Sequence, residues 1–306
     1  MPTGPDCPLC GAPLRQTRVR ARDRLVTGDG PFRLSECRAC QFGELRVSDL
    51  ERYYGGPYFT DFYEHDGSGA AGRLERLRAR YRLWAAGRRF RRAPFAIAGP
   101  PGRVLDVGCG GGELLAHYRA LGWATFGIDV SRGAAQAARD RGATVHVGTL
   151  ADQPWEARSF DLAVFSHSLE HIPEPLVALA QARDLLAPGG RLVVLAPNWR
   201  CWQRFVFRGL WFPLDLPRHV SHFSPRALAR AAERLELETV AIGTTSTIIA
   251  VAYSLHYLIA GHWTPGWKLW LAYALGILVY PPVLLLDRLL GGDACYAVLR
   301  RPANTL

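Results

Sequence analysis

The sequence predicts an α/β protein built on a doubly wound, seven-stranded sheet, with a small cysteine-rich segment ahead of it. Three observations lead there. Strand-like apolar runs alternate with helix-like segments between residues 103 and 301. A glycine-rich turn, Asp106-Val107-Gly108-Cys109-Gly110-Gly111-Gly112, follows the first of those runs, and two Cys-x-x-Cys pairs lie near the N-terminus. Strands alternating with helices imply a parallel sheet with right-handed crossovers, covered by helices on both faces.

Each element has a local cause. RVLDVG (103–108) is a short apolar run, hence a buried strand, and ELLAHYRALG (113–122) is a helix closed by Gly122. ATFGIDV (124–130) is the second strand, and the helix after it starts on Ser131 as N-cap. ATVHVG (143–148) and FDLAVFSH (160–167) are the third and fourth strands. LVALAQARDLLAPGG (176–190) reads as a helix ending in a Pro-Gly-Gly turn, with RLVVLAPN (191–198) as the fifth strand. SPRALARAAERLELE (224–238) is a further helix, TVAIGTT (239–245) the sixth strand, and DACYAVLRR (293–301) alternates as the last.

The bulk numbers bound the function. The chain has 306 residues, 49% of them apolar, which supplies a core for one sizeable domain and excludes global disorder. Its net charge is +10, and all but one of its 37 basic residues are arginine, Lys268 being the exception. A GC-rich coding composition produces that bias by itself, yet a basic surface still favours phosphate-bearing substrates, nucleic acid or an acidic membrane face. Cys109, Cys201 and Cys295 are scattered, which speaks against a disulfide framework and for a reducing compartment. The first thirty residues lack the apolar core of a signal peptide, so a cytoplasmic location is expected, with the inner membrane face as a peripheral site.

The glycine-rich turn sits where a strand must turn sharply into a helix. Glycines there allow positive φ and close approach of a ligand, and the helix N-terminus offers free N–H groups to a carboxylate. Such a turn alone also suits nicotinamide dinucleotides. Asp129, at the end of the second strand, can accept both hydroxyls of a ribose. Asp106 would sit poorly beside a dinucleotide phosphate, whereas S-adenosylmethionine has none to cradle.

VLDVGCGGG, GIDVS, SFDLAVFSHSLEHIPEP and LLAPGGRLVVLAPN stand in order over residues 103–200, and this stretch resembles the class I S-adenosylmethionine-dependent methyltransferases. The resemblance implies a Rossmann-like sheet and a methyltransferase activity. It sets Asp106, Gly108, Cys109 and Gly110 around the amino-acid part of the cofactor, and Asp129 and Val130 at the ribose. Thr149 and Leu150 fall beside the adenine, where the family often carries an acidic residue and this chain has Asp152 nearby. Ser166 and His171 border the cofactor.

Cys7, Cys10, Cys37 and Cys40 form two knuckles separated by 26 residues, a spacing that closes a four-thiolate zinc site in a segment too small for its own core. Such a site has no open position, so the zinc is structural; a redox pair is the alternative. Residues 1–48 are read as this zinc-ribbon-like domain, 49–70 as an aromatic connector in which Tyr53, Tyr54 and Tyr58 form a lid, and 71–306 as the methyltransferase domain.

Two segments bear on partners. Residues 72–94 carry nine arginines around a stripe of Leu74, Leu77, Tyr81 and Trp84, a basic helix that packs on the sheet or meets anionic lipid or substrate. Leu269–Leu286 is uncharged over 18 residues, the lower limit for a membrane span, but Pro281-Pro282 argues for a break. The expectation is an insert over 247–290: one helix near 247–260 and a proline-bent helical hairpin near 266–290, dipping into one leaflet, with a lid over the active site, a dimer interface or a true span as the alternatives.

Methyl transfer to a hydroxyl also needs a base. His219 and His222, in the loop after the fifth strand, are the catalytic candidates, with His222 equally able to serve as a support for that loop. The leading function is transfer to a small-molecule or lipid-linked glycan acceptor. An RNA methyltransferase is the alternative, disfavoured because the fourth strand ends in SHSLEH and lacks the Asn/Asp-Pro-Pro-Tyr/Phe used to grip a base nitrogen. A third reading is a membrane-docked protein that binds the cofactor without turnover.

Overall fold

The computed structural model of the protein describes residues 6–54, 94–97, 99–264 and 266–303. The basic helix expected over 72–94 and Tyr58 lie outside the described residues, apart from Pro94.

The cysteine-rich segment opens with strands β1 (Leu14–Ala21) and β2 (Phe32–Cys37), an antiparallel hairpin, followed by the short β3 (Gly43–Glu44) paired with β2. Each knuckle closes in the same way. Gly11 and Gln41 take positive φ (74° and 63°) and turn back so that their N–H groups bond the Cys7 and Cys37 carbonyls, both at 2.8 Å.

The α/β part then runs β4 (Arg103–Val107), α1 (Glu113–Ala120), β5 (Ala124–Asp129), α2 (Arg132–Asp140), β6 (Thr144–Val147), β7 (Phe160–Ser166), α3 (Pro175–Leu185) and β8 (Leu186–Pro197). A short α4 (Trp202–Phe207) and β9 (Ser221–His222) precede α5 (Pro225–Arg234) and β10 (Glu238–Thr245). Helices α6 (Ile248–Ala260) and α7 (Trp267–Leu290) lead to the last strand, β11 (Ala294–Arg300). Ser131 and Ser224 cap α2 and α5, their hydroxyls accepting from Ala134 and Ala227 N–H.

The seven-stranded sheet has the order β10-β11-β8-β7-β4-β5-β6, parallel from β8 to β6, with β11 antiparallel to both its neighbours. Its residues alternate between two cores, as strand geometry demands. Leu105, Ala163, Phe165, Leu192 and Val194 face one core, and Val104, Leu162, Val164, Val193 and Leu195 the other.

Two expectations are corrected. The helix read over 176–190 ends at Leu185, because Pro188 has no N–H and disfavours helical backbone at Ala187; Leu186 instead pairs with Phe160 and already belongs to β8. The hairpin expected over 266–290 is a single 24-residue helix that continues through Pro281 and Pro282. Those prolines leave the carbonyls of Ile277 and Leu278 without helical donors, and both residues lie on the exposed face. The hairpin is formed between α6 and α7, where Gly276 lets the helices meet: a Cβ there would lie 3.0 Å from that of Ala252.

The base of this hairpin is held by buried carboxylates. Asp287 of α7 accepts from the Trp202 indole at 2.7 Å and from Gln203 at 3.2 Å. Asp293 accepts from Thr247 N–H at 2.7 Å and Thr247 Oγ1 at 2.9 Å, and burial, only partly offset by those bonds, raises its pKa to about 7. The native chain therefore retains a proton that the unfolded chain releases near pH 4. This contribution to stability is full below pH 4 and lost as pH rises to about 7. Urea unfolding across that range should show a declining component that Asp293→Asn removes; an unchanged slope in the variant would place the proton elsewhere.

Candidate functional site

The crevice of this sheet lies beyond the carboxyl end of β4, where strand order reverses between β5 on one side and β7 on the other. Gly108 and Cys109 are pinned to β5 by bonds from their N–H groups to the Ile128 carbonyl, at 2.8 and 3.0 Å. Gly108 has φ 74°, and a Cβ there would lie 2.5 Å from that of Ser168, whose hydroxyl donates to the Val107 carbonyl. Gly112 has φ 84°, and its missing Cβ leaves room for Ala138 of α2. These two positions require glycine because positive φ coincides with a close neighbour.

Asp129 ends β5. One of its oxygens accepts from Gly110 N–H at 2.8 Å and the other from Ser131 N–H at 2.9 Å, which leaves a second lone pair on each. Burial raises its pKa against those two bonds. Asp106 is 2% exposed and its Oδ1 has no hydrogen-bond partner. Burial, reinforced by the charges of Asp129 and Glu113, raises its pKa well above the usual carboxylate range. Val130 is exposed beside Asp129, and Cys109 is buried beneath the loop. At the end of β6, Asp152 ties down Thr149 through its N–H (2.7 Å) and hydroxyl (2.9 Å), and Leu150 is buried. The acidic side chain nearest this point, Asp152, is thus engaged by Thr149.

The other wall begins at Ser166. Ser168 packs on Gly108, and the 3-10 turn Leu169–His171 follows at once. Glu170 is 1% exposed: Oε1 meets His167 Nδ1 at 3.3 Å and Oε2 has no partner. His171 Nδ1 lies 2.9 Å from the Tyr54 hydroxyl, which donates to the Arg218 carbonyl at 3.1 Å. Burial, then the charge of His219, lowers the His171 pKa to about 4. The His171 and His219 rings stand 4.6 Å apart, edge to face, and His219 Nδ1 lies 2.9 Å from the Pro213 carbonyl.

His219 and His222 are thus parted. His219 packs edge to face on His171, whereas His222 is 2% exposed, packed on Trp199 and opposite Gly43 in a β3–β9 pair that extends the hairpin sheet to four strands. Tyr53 and Tyr54 enter from the connector: Tyr53 is buried and bonds Asp29, and Tyr54 reaches the histidines. Glu170 and Ser168 were not singled out from the sequence. The signal was in SHSLEH, whose one acidic side chain adjoins His171.

The four paired cysteines converge as their spacing implies. Sulfurs of Cys7 and Cys40 lie 3.5 Å apart and those of Cys10 and Cys37 3.4 Å, and all four fall within 4.8 Å of one another. Tetrahedral Zn2+ with bonds of about 2.3 Å separates its sulfurs by about 3.8 Å, so the donor set fits zinc with little movement. All seven cysteines are free thiols.

Residues 76–242 match the sequence profile described as "Methyltransferase domain", and the chain belongs to that family. It is 31% identical over 167 residues to a ubiquinone biosynthesis O-methyltransferase of Aromatoleum aromaticum, an alignment covering 50% of this chain and 71% of the relative. It is 34% identical over 136 residues to an aklanonic acid methyltransferase of a Streptomyces species, covering 41% and 58%. Among solved structures, a SAM-dependent methyltransferase from Archaeoglobus fulgidus shares the fold, with a TM-score of 0.50, 19% identity and coverage of 75% and 100%. The protein is therefore an S-adenosylmethionine-dependent methyltransferase. The crevice offers polar groups of the kind such a cofactor needs: a buried Asp106 oxygen without a partner, and Asp129 oxygens that each keep a lone pair.

The loop bearing His219 depends on one buried cation. Arg218, with no exposed side-chain surface, bonds Asp215 at 2.6 Å and Asp23 of the cysteine-rich segment at 2.9 Å. Removing it strands two carboxylates in the interior. Arg218→Ala should lower stability by about 3–5 kcal/mol in urea unfolding; a loss below about 1 kcal/mol would show that the carboxylates escape to solvent.

Proposed function

We propose that the protein methylates a hydroxyl of a small-molecule acceptor and that His219 activates that hydroxyl. The observation that carries this is the placement of His219: its Nδ1 is engaged by the Pro213 carbonyl, and its ring stands against His171, which ends the turn that follows Ser168 on Gly108. The relatives' names, an O-methyltransferase of ubiquinone biosynthesis and an aklanonic acid methyltransferase, support an acceptor of that class. His222, enclosed between Trp199 and Gly43, supports the loop from behind.

S-adenosylmethionine supplies an electrophilic methyl group on sulfonium sulfur. Asp106, Gly108, Cys109 and Gly110 would hold its amino-acid part, Asp129 and Val130 the ribose, and Thr149 and Leu150 the adenine, with Ser166 and His171 along the edge. Asp106, whose burial raises its pKa well above the usual carboxylate range, would meet the cofactor's ammonium with its unpartnered oxygen. The rest of the chain's task is alignment and exclusion of water. The cysteine cluster, residues 1–48, would carry a structural zinc, with 49–70 as the lid and 71–306 as the catalytic domain.

Calorimetry should show that wild-type protein binds S-adenosylmethionine and that Asp129→Ala does not. His219→Ala should keep cofactor affinity and lose about 10²–10⁴-fold in kcat in a radiolabelled-methyl assay. Full turnover in His219→Ala would remove its role, and absence of binding by the wild type would overturn the whole reading.

The exposed face of α7 supports peripheral contact with the acidic cytoplasmic face of a membrane, which would bring lipid-linked acceptors, glycans included, within reach. Its most apolar 18-residue stretch has a mean hydropathy of 2.0 and is only 17% buried, and Trp267, Trp270 and Leu278 are each about 70% exposed. Co-sedimentation with phosphatidylglycerol vesicles should fall at least tenfold in the Trp270→Ala/Leu278→Glu double variant. Equal pelleting of the two proteins would argue for a protein-covered face.

A further inference from the structure

We propose that Glu170, His171 and His219 hold a divalent metal ion, and that the acceptor hydroxyl is activated as a ligand of that ion. One donor atom from each of the three lies within 4.8 Å of the other two, a two-histidine, one-carboxylate set at the crevice. The inference rests on the reading of this wall as the acceptor side and states how His219 acts there.

Each donor is prepared in the manner that metal ligands require. The Tyr54 hydroxyl gives its proton to the Arg218 carbonyl, so its oxygen can accept from His171 Nδ1. The proton of His171 thus sits on Nδ1, and Nε2 keeps its lone pair. The Pro213 carbonyl has only lone pairs to offer, so His219 Nδ1 donates to it and Nε2 is the ring nitrogen left for an ion. His219 Nε2 lies 4.0 Å from Asp215 Oδ2, a carboxylate already held by Arg218. Glu170 Oε1 is oriented by His167, while Oε2 is buried with no partner, a state that costs several kcal/mol unless a cation or donor meets it.

The donor set also selects the ion. Two imidazoles and one carboxylate suit Mn2+, Fe2+, Co2+ or Zn2+ better than Mg2+ or Ca2+, which prefer oxygen alone. Bonds of about 2.0–2.2 Å require the donors to close to about 3–3.5 Å, a small rotation of the imidazoles. Three protein ligands leave positions open for the acceptor. A coordinated hydroxyl loses its proton to solvent at a lower pH than a free one. Its oxygen then forms the new bond to the methyl carbon as the carbon–sulfur electrons return to sulfur, so the sulfonium and alkoxide charges cancel and the metal keeps its oxidation state.

Mn2+ is the probe, because it binds oxygen and nitrogen well and competes poorly for the four thiolates. Electron paramagnetic resonance of the full chain, stripped with a mild chelator that leaves zinc in place, should show one bound Mn2+ per chain. Glu170→Gln and His219→Asn should each weaken that binding at least tenfold without changing S-adenosylmethionine affinity, and added Mn2+ should restore turnover of the stripped wild type. Should the buried Glu170→Gln fail to fold, His219→Asn and Tyr54→Phe carry the test, the latter weakening Mn2+ through His171 alone. Absence of bound Mn2+, together with turnover indifferent to chelation, overturns the metal site. In that case a kcat lost in His219→Ala still leaves His219 as a direct base, whereas an unchanged kcat would sink the acceptor-side reading as well.

Discussion

The crevice at β4 is a consequence of strand order, and the remaining features of the molecule are arranged around it. Chain leaving β4 passes to β5 in one direction, while β7 and β8 extend the sheet in the other, so the strand order reverses at the carboxyl end of β4. Asp129 then binds the two halves of the loop together by accepting from Gly110 and Ser131. That bond network holds the backbone donors of the turn outward and leaves Asp106 buried behind them. A buried carboxyl oxygen without a protein partner is costly unless a donor or a cation meets it.

The wall that carries His171 and His219 is assembled from distant parts of the chain. Arg218 links the loop before β9 to Asp23 in the cysteine-rich segment, and β9 itself adds a strand to that segment's sheet. Cys7, Leu9, Cys37, Cys40 and Phe42 lie in the same apolar cluster as β7, β8 and α5 residues, so the knuckles share the core of the main domain. The helical hairpin meets the same loop from the other side, where Ser254 of α6 accepts from Phe212 N–H, one residue before the carbonyl that orients His219. Three elements thus set one imidazole.

Much of this was legible in residue order. Strand and helix positions followed from apolar runs and from capping serines, and the cofactor loop from glycines flanked by Asp106 and Asp129. Two errors share a cause in proline. At Pro188 the missing N–H ended a helix earlier than the apolar pattern suggested, and at Pro281-Pro282 it failed to end one. In the first case a strand partner, Phe160, offered better bonding; in the second the freed carbonyls lie on the exposed side of α7, away from the packing with α6.

Local pattern by itself determined the sheet's class, the strand-to-helix turn and the thiolate cluster, because each depends on spacing along the chain: period two for strands, a turn between strand and helix, and knuckles of two intervening residues. The methyl donor followed from the resemblance that the ordered motifs carry. Tertiary structure alone separated His219 from His222. They lie three residues apart in one loop, yet a two-residue strand pair with β3 buries one against Trp199 and turns the other toward His171. It alone also brought Glu170 and Tyr54 to the same place, since contacts across more than a hundred residues are decided by packing and by the need to satisfy buried polar groups.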